Sequence, residues 1–165
     1  MQITRHGTPL QTTGEPLGIG HALPAFTLQD AAGRTITPAD WAGQYTLISV
    51  VPDINTRVCS LSTKRFNAAM ADFEGTHFIT VSTNAAADQQ NWCAAEGVAN
   101  IQLLSDAEGA FGRVMGLLVE DGHTDARSVW ITDASGKIVY RELVLEQTDE
   151  PDYDSALAYL ETHNR

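Results

Sequence analysis

The 165 residues, 43% hydrophobic and 19% charged, fit a single domain spanning 1–165, large enough to build a core without metal or disulfide staples. No apolar run approaches the ~18 residues of a membrane span, and Met1 to Leu10 lacks the apolar centre of an export signal, so the expected setting is cytoplasmic. A formal net charge of −11 disfavours nucleic acid and anionic membrane surfaces as partners.

In chain order, Gln2 to Arg5 and Thr8 to Thr12 read as a hairpin turning at His6-Gly7, followed by a Gly/Pro-rich loop to about residue 20. Phe26 to Leu28 and Arg34 to Ile36 read as short strands around the Ala31–Gly33 turn. Thr37 and Pro38 mark a helix start that Gly43 soon ends. Tyr45 to Val51 is an apolar, β-branched run, the pattern of a fully buried strand, and Pro52 stops it. After a loop over 52–58, a helix is expected from about Cys59 to Phe73, with Phe66, Ala69, Met70 and Phe73 on its apolar stripe.

His77 to Ser82 reads as a second buried strand. Asn84 is placed to cap a helix running to Glu96, with Gly97 closing it. Ile101 to Leu104 is a strand and Glu108 to Met115 a helix. Arg127–Thr132 and Lys137–Leu143 form a hairpin around residues 133–136. Pro151 opens a last helix that turns Leu157 and Leu160 inward. Alternation first gives parallel strands with right-handed crossovers, and the closing hairpin adds antiparallel ones. The expected fold is α/β, thioredoxin-like: a mixed central sheet flanked by helices, with an N-terminal β-hairpin extension over 1–20.

Charge is uneven along the chain. Residues 1–65 balance to +1 and residues 66–165 to −12. Arg57, Lys64 and Arg65 lie in a stretch without acids between Asp53 and Asp72. A solvated helix face accounts for Lys64 and Arg65.

Cys59 and Cys93 are the two cysteines, too few for a disulfide scaffold. Inert buried thiols are one reading of both. Local context separates them. Cys59 follows a buried strand and opens a helix, at the sheet edge where ligands bind in such folds. There the first-turn N–H groups and the helix dipole favour a thiolate. Cys93 lies late in a helix, where the dipole has the opposite sign. The five histidines are scattered, with no metal-ligand spacing.

Pro52-Asp-Ile-Asn-Thr-Arg-Val-Cys59 resembles the peroxiredoxin pattern P-x-x-x-T-x-x-C. Asn91-Trp-Cys93-Ala-Ala-Glu-Gly97, Asp125-Ala-Arg127-Ser-Val and Glu150-Pro-Asp-Tyr-Asp154 resemble segments of its thiol peroxidase branch, the atypical two-cysteine peroxiredoxins. The resemblance implies that Cys59 reduces a hydroperoxide and becomes a sulfenic acid. It also implies that Arg127 and Thr56 contact sulfur and peroxide, and that Pro52 walls the site. Cys93 would then resolve the sulfenic acid as an intramolecular disulfide, recycled by thioredoxin or a similar dithiol. A homodimer is implied, and no metal or organic cofactor. That branch commonly has Asp before the threonine and Gly after it; Asn55 and Arg57 stand there instead, and whether Arg57 reaches the sulfur or solvent is open.

Taken singly, these residues have plainer readings: Pro52 a strand stopper, Thr56 a helix cap, Arg127 an ion pair with Asp125 or Glu142. Two rival functions remain: a one-cysteine peroxidase with a structural Cys93, and a non-enzymatic thioredoxin-like redox sensor. A peroxide pocket framed by Leu117, Leu118, Val119 and Trp41 is expected from composition, hinting at organic hydroperoxides.

Overall fold

The computed structural model describes residues 1–98 and 101–163. Strands β1 (Gln2–Arg5) and β2 (Thr8–Gln11) pair as a separate antiparallel hairpin with Arg5 opposite Thr8. Its turn residues His6 and Gly7 both have positive φ, 50° and 78°, as a tight two-residue hairpin turn requires.

The remaining elements are β3 (Leu28–Gln29), β4 (Thr35–Ile36), β5 (Tyr45–Val50), α1 (Arg57–Ala69), β6 (Thr76–Ser82), α2 (Ala86–Glu96) and β7 (Gln102–Ser105). They are followed by α3 (Ala110–Met115), β8 (Ser128–Thr132), β9 (Ile138–Leu143) and α4 (Tyr153–His163). Among the described residues the main sheet runs β4-β3-β7-β6-β5-β8-β9. β5, β6 and β7 are parallel, joined by the α1 and α2 crossovers, and β8 and β9 are antiparallel additions. This is the thioredoxin-like mixed sheet expected from the element order.

Side chains alternate across the strands, so the sheet separates two cores. Leu47, Val129 and Ile131 face Cys59 and Phe66 of α1, Trp92 of α2 and Leu160 of α4. Ile48, Val50 and Ile79 face the other way, against Phe111 and Met115 of α3, Trp41, and Ile3 of the hairpin. The pocket expected from Trp41, Leu117 and Val119 is therefore not formed. Those side chains fill the core on the opposite face from Cys59, and Leu118 is likewise buried. Composition cannot tell which face of a sheet an apolar residue takes.

Two helix starts also differ from expectation. α1 begins at Arg57, with Thr56 as its extended N-cap, so Cys59 is the third residue of the helix. Its buried stripe is Cys59, Ser62, Thr63, Phe66 and Ala69, and the chain tightens to a 3₁₀ turn at Met70–Asp72. α2 takes Ala85, not Asn84, as its N-cap. Gly97 closes α2 in the left-handed conformation at φ 68°, as expected of a residue without a Cβ.

Candidate active site

β5 ends at Val50, and the segment after it is tied down before α1 begins. Val51 N–H donates to Val81 O at 2.9 Å, which continues the parallel ladder by one bond. Asn84, at the end of the neighbouring strand, accepts from Ile54 N–H at 2.8 Å and donates to Asp53 Oδ1 at 3.0 Å. Asp53 Oδ1 also accepts from Asn55 N–H. The loop is thus fixed by polar contacts across the strand ends, and it seats Thr56 at the helix start. The Thr56 hydroxyl donates to Asp53 O at 2.9 Å, and its carbonyl accepts from Ser60 N–H.

Cys59 is fully buried, at 0% exposure, and its thiol is free. Arg127, only 3% exposed, donates from Nη2 to Cys59 Sγ at 3.1 Å. No ion pair with Asp125 or Glu142 holds this guanidinium. Its Nε donates to Gln147 O at 3.0 Å, its backbone N–H donates to Gln147 Oε1 at 2.6 Å, and its Nη1 has no partner among the described residues. Gln147 is in turn fixed by donating to Val144 O at 2.7 Å. A buried guanidinium nitrogen without a partner is costly, so this atom is available to a ligand.

The N-terminal hairpin completes the arrangement. Thr4 N–H donates to Leu145 O and Gln147 N–H donates to Thr4 O, so the hairpin clamps the segment that carries Gln147. Glu146 accepts from the N–H groups of Gly7 and Thr148 and from the hydroxyls of Thr4 and Thr148, and these bonds pull its carboxyl down to about 2. The clamp brings Arg5 and His6 to a cleft of about 340 Å³, which Pro52, Thr56, Arg57 and Arg127 also line. Pro52 is buried while Thr56 and Arg57 are exposed. Arg57, whose direction was open from sequence, stands on the cleft rim.

Cys93 is separate from this cleft. It lies half-buried in α2 and lines a different groove with Gln89, Val98 and Leu103. Burial pushes its thiol up from the usual cysteine range. Both cysteines are free. Among the described residues no group of three or more His, Cys, Asp or Glu is placed to hold a metal.

Of the residues expected from sequence, Pro52, Thr56, Cys59 and Arg127 come together at one place, and Cys93 does not join them. Gln147, Asn84 and Tyr153 were not anticipated. Tyr153 OH shares a hydrogen bond of 3.0 Å with Ser62 Oγ of α1 and donates to Glu150 Oε1. Burial raises its phenol to about 12. The Glu150-Pro-Asp-Tyr segment was the available signal for Tyr153.

A thioredoxin-like sheet that presents a buried thiol to a guanidinium in the first turn of a helix defines a thiol-redox class of protein. The model of the AhpC/TSA family matches residues 19–141, and the chain belongs to that family. It is 40% identical over 158 residues to a thiol peroxidase of Staphylococcus aureus, covering 95% of this chain and 96% of that one. It is 39% identical over 152 residues to a thiol peroxidase of Streptococcus parasanguinis, covering 92% and 93%. A peroxiredoxin-like protein from Aquifex aeolicus superposes with a TM-score of 0.89 at 27% identity, over 98% of this chain and 96% of that one.

Proposed function

We propose that this peroxiredoxin-type peroxidase reduces hydroperoxides through Cys59. The Cys59 thiolate attacks the terminal oxygen of the hydroperoxide, in line with the O–O bond. The S–O bond forms as the O–O bond breaks. The alkoxide or hydroxide leaves with the electron pair and takes up a proton, and Cys59 is left as a sulfenic acid. Arg127 stabilises the thiolate through Nη2 and meets the developing oxygen charge through Nη1. Thr56 caps α1 and offers its hydroxyl oxygen to the peroxide proton, while Pro52 keeps water from the sulfur.

In the second half, the Cys93 thiolate attacks the sulfenic sulfur. A disulfide forms and the sulfenic oxygen leaves as water. Thioredoxin or a similar dithiol restores both thiols by exchange. The raised Cys93 thiol and its separate groove support an opening of α2 before this step. No organic cofactor or metal enters the cycle. The reading includes action as one domain over 1–165, as a homodimer and in the cytoplasm.

The observation that carries the proposal is the 3.1 Å contact from Arg127 Nη2 to the buried Cys59 Sγ, with Nη1 unpartnered beside an open cleft. The test is thiol counting on the reduced protein before and after one equivalent of hydrogen peroxide, with Cys59→Ser and Cys93→Ser alongside. Wild type should lose both thiols, Cys93→Ser should lose one and form no internal disulfide, and Cys59→Ser should lose none. Loss of a single thiol in wild type would favour the one-cysteine peroxidase. Slow turnover after fast Cys59 oxidation would favour the redox sensor.

A further inference from the structure

The cleft beside Cys59 is much larger than its smallest substrate requires. A water molecule occupies about 30 Å³, and hydrogen peroxide is little bigger, yet the cleft holds about 340 Å³. Its lining carries Arg5, His6, Arg57 and Arg127, with apolar wall from Pro52 and Val58, and no carboxylate. That is a cationic site in a protein of net charge −11. The nearby carboxylates are already engaged: Glu146 by five protein donors, and Asp53 by Asn55 and Asn84.

The three arginines differ in what they are free to do. Arg127 is committed to Cys59 and Gln147. Arg5 donates to Thr124 Oγ1 at 3.1 Å, and His6 sits in the hairpin turn. Arg57 is different. Among the described residues its side chain has no ion pair or hydrogen bond. It is the first residue of α1, and that first turn holds no acid. A cation there opposes the helix dipole, so the helix gains nothing from it. An exposed, unpartnered arginine in an unfavourable position on the rim of a half-apolar cleft is suited to a ligand with a negative group.

We propose that Arg57 determines substrate preference, selecting organic hydroperoxides that bear a carboxylate over neutral ones of equal size. The apolar body lies along Pro52 and Val58, the peroxide group meets Cys59 and Arg127, and the carboxylate is held at the rim by Arg57 with support from Arg5. The inference rests on the peroxidase reading above.

The test is a single-turnover measurement on the reduced full-length protein, following loss of the Cys59 thiol. The probes are a short carboxylate-bearing alkyl hydroperoxide, its methyl ester and hydrogen peroxide. In wild type the acid should react about threefold to tenfold faster than the ester at low salt, the scale of rim-charge effects. The ratio should shrink toward one at about 0.5 M salt. Arg57→Lys should keep the preference and Arg57→Glu should reverse it. Equal rates for acid and ester in wild type, or a preference unchanged in Arg57→Glu, would overturn the proposal. Failure of hydrogen peroxide itself to consume the thiol would instead bring down the peroxidase reading and this inference with it.

Discussion

Gln147 holds Arg127 at two points, its side-chain oxygen on the arginine backbone N–H and its own carbonyl on Nε. The same residue is clamped by the N-terminal hairpin through Thr4. The chain of contacts from Thr4 to Gln147 to Arg127 to Cys59 fixes the guanidinium before any substrate arrives. Such preorganisation is where electrostatic catalysis draws its strength.

Gln147→Ala removes the side-chain acceptor and leaves a buried N–H unpaired, at a cost of about 1–3 kcal/mol in stability. The carbonyl contact to Nε survives, so Arg127 loosens without being lost. The expected rate of Cys59 oxidation falls by about tenfold to a hundredfold, the scale of a small misplacement. Alkylation of Cys59 at a fixed pH should slow as well. A loss of stability with wild-type rates of oxidation and alkylation would give Gln147 a structural role only.

Arg127→Met keeps an unbranched stem and deletes the guanidinium with its charge-assisted bond to sulfur. The barrier to peroxide attack should rise by about 2–4 kcal/mol, roughly thirtyfold to a thousandfold in rate. Cys59→Ser should abolish the reaction, since a serine hydroxyl stays protonated near neutrality. Stability of the serine variant should change little, the swap being nearly isosteric. Stopped-flow oxidation with hydrogen peroxide checks both variants.

Asp125 presents a separate expectation, for pH. It is fully buried, both its oxygens lack a donor among the described residues, and it packs so closely on Gly112 that a Cβ there would collide with it. Asp106 faces it, with that carboxylate accepting from Phe111 N–H and Gly112 N–H at the start of α3. A proton held between the two carboxyls supplies the missing donor. Burial first, then the hydrogen bond with Asp106 and its charge, push the Asp125 carboxyl up to about 10, against a smaller opposing pull from Arg113. Its folded pKa lies above the unfolded value of 3.8. Its stabilising contribution is therefore complete below that value and is lost as the pH rises toward the folded one. Asp125→Asn replaces the proton with an amide donor to Asp106. The variant should melt several degrees higher than wild type at about pH 8, with the gap closing toward about pH 4. A gap that stays constant with pH would mean that Asp125 does not titrate across this range.

How far these features were legible in the sequence depended on the range of the contact. The Tyr45–Val51 run and the Pro52 stop are local patterns, so β5 and the loop before Cys59 could be placed to within two residues. Gly97 could be read for the same reason. Asn84 could not. Its type and position suit a helix cap, yet its side chain binds Ile54 and Asp53, some thirty positions upstream. Gln147 likewise acts on a residue twenty positions away. Trp41 and Leu117 had the right composition for a pocket and lie on the far face of the sheet. Only tertiary packing decides such cases.

The last expectation concerns how Cys93 would reach Cys59 in the proposed cycle. Both are free thiols, one buried under Arg127 and the other in a groove on α2. A disulfide needs Cα atoms within about 7 Å, and joining a fully buried thiol to one that lines a groove on α2 is expected to need movement of an element. α2 is the more weakly anchored of the two candidate elements. It buries only Gln89 and Trp92. Gln89 is held by two side-chain hydrogen bonds of 2.9 Å, to Ser82 Oγ and Leu104 O, and its own oxygen has no partner among the described residues. An exposed ion pair from Lys64 to Glu96 at 2.9 Å adds little. β5 by contrast is buried along almost its whole length, with paired strands on both sides. Weakly anchored elements open at a fraction of the global unfolding free energy. Freed into water, Cys93 would also lose the burial that raises its thiol, becoming a better nucleophile as it becomes mobile. Hydrogen exchange should therefore show protection lost over residues 85–97 on oxidation and retained over residues 45–51. Trp92→Ala should speed disulfide formation after peroxide addition by loosening the anchor, while Cys59 oxidation itself stays at the wild-type rate. An oxidised protein with α2 protected as in the reduced one, or a Trp92→Ala variant that resolves no faster, would place the motion in the first turn of α1 instead.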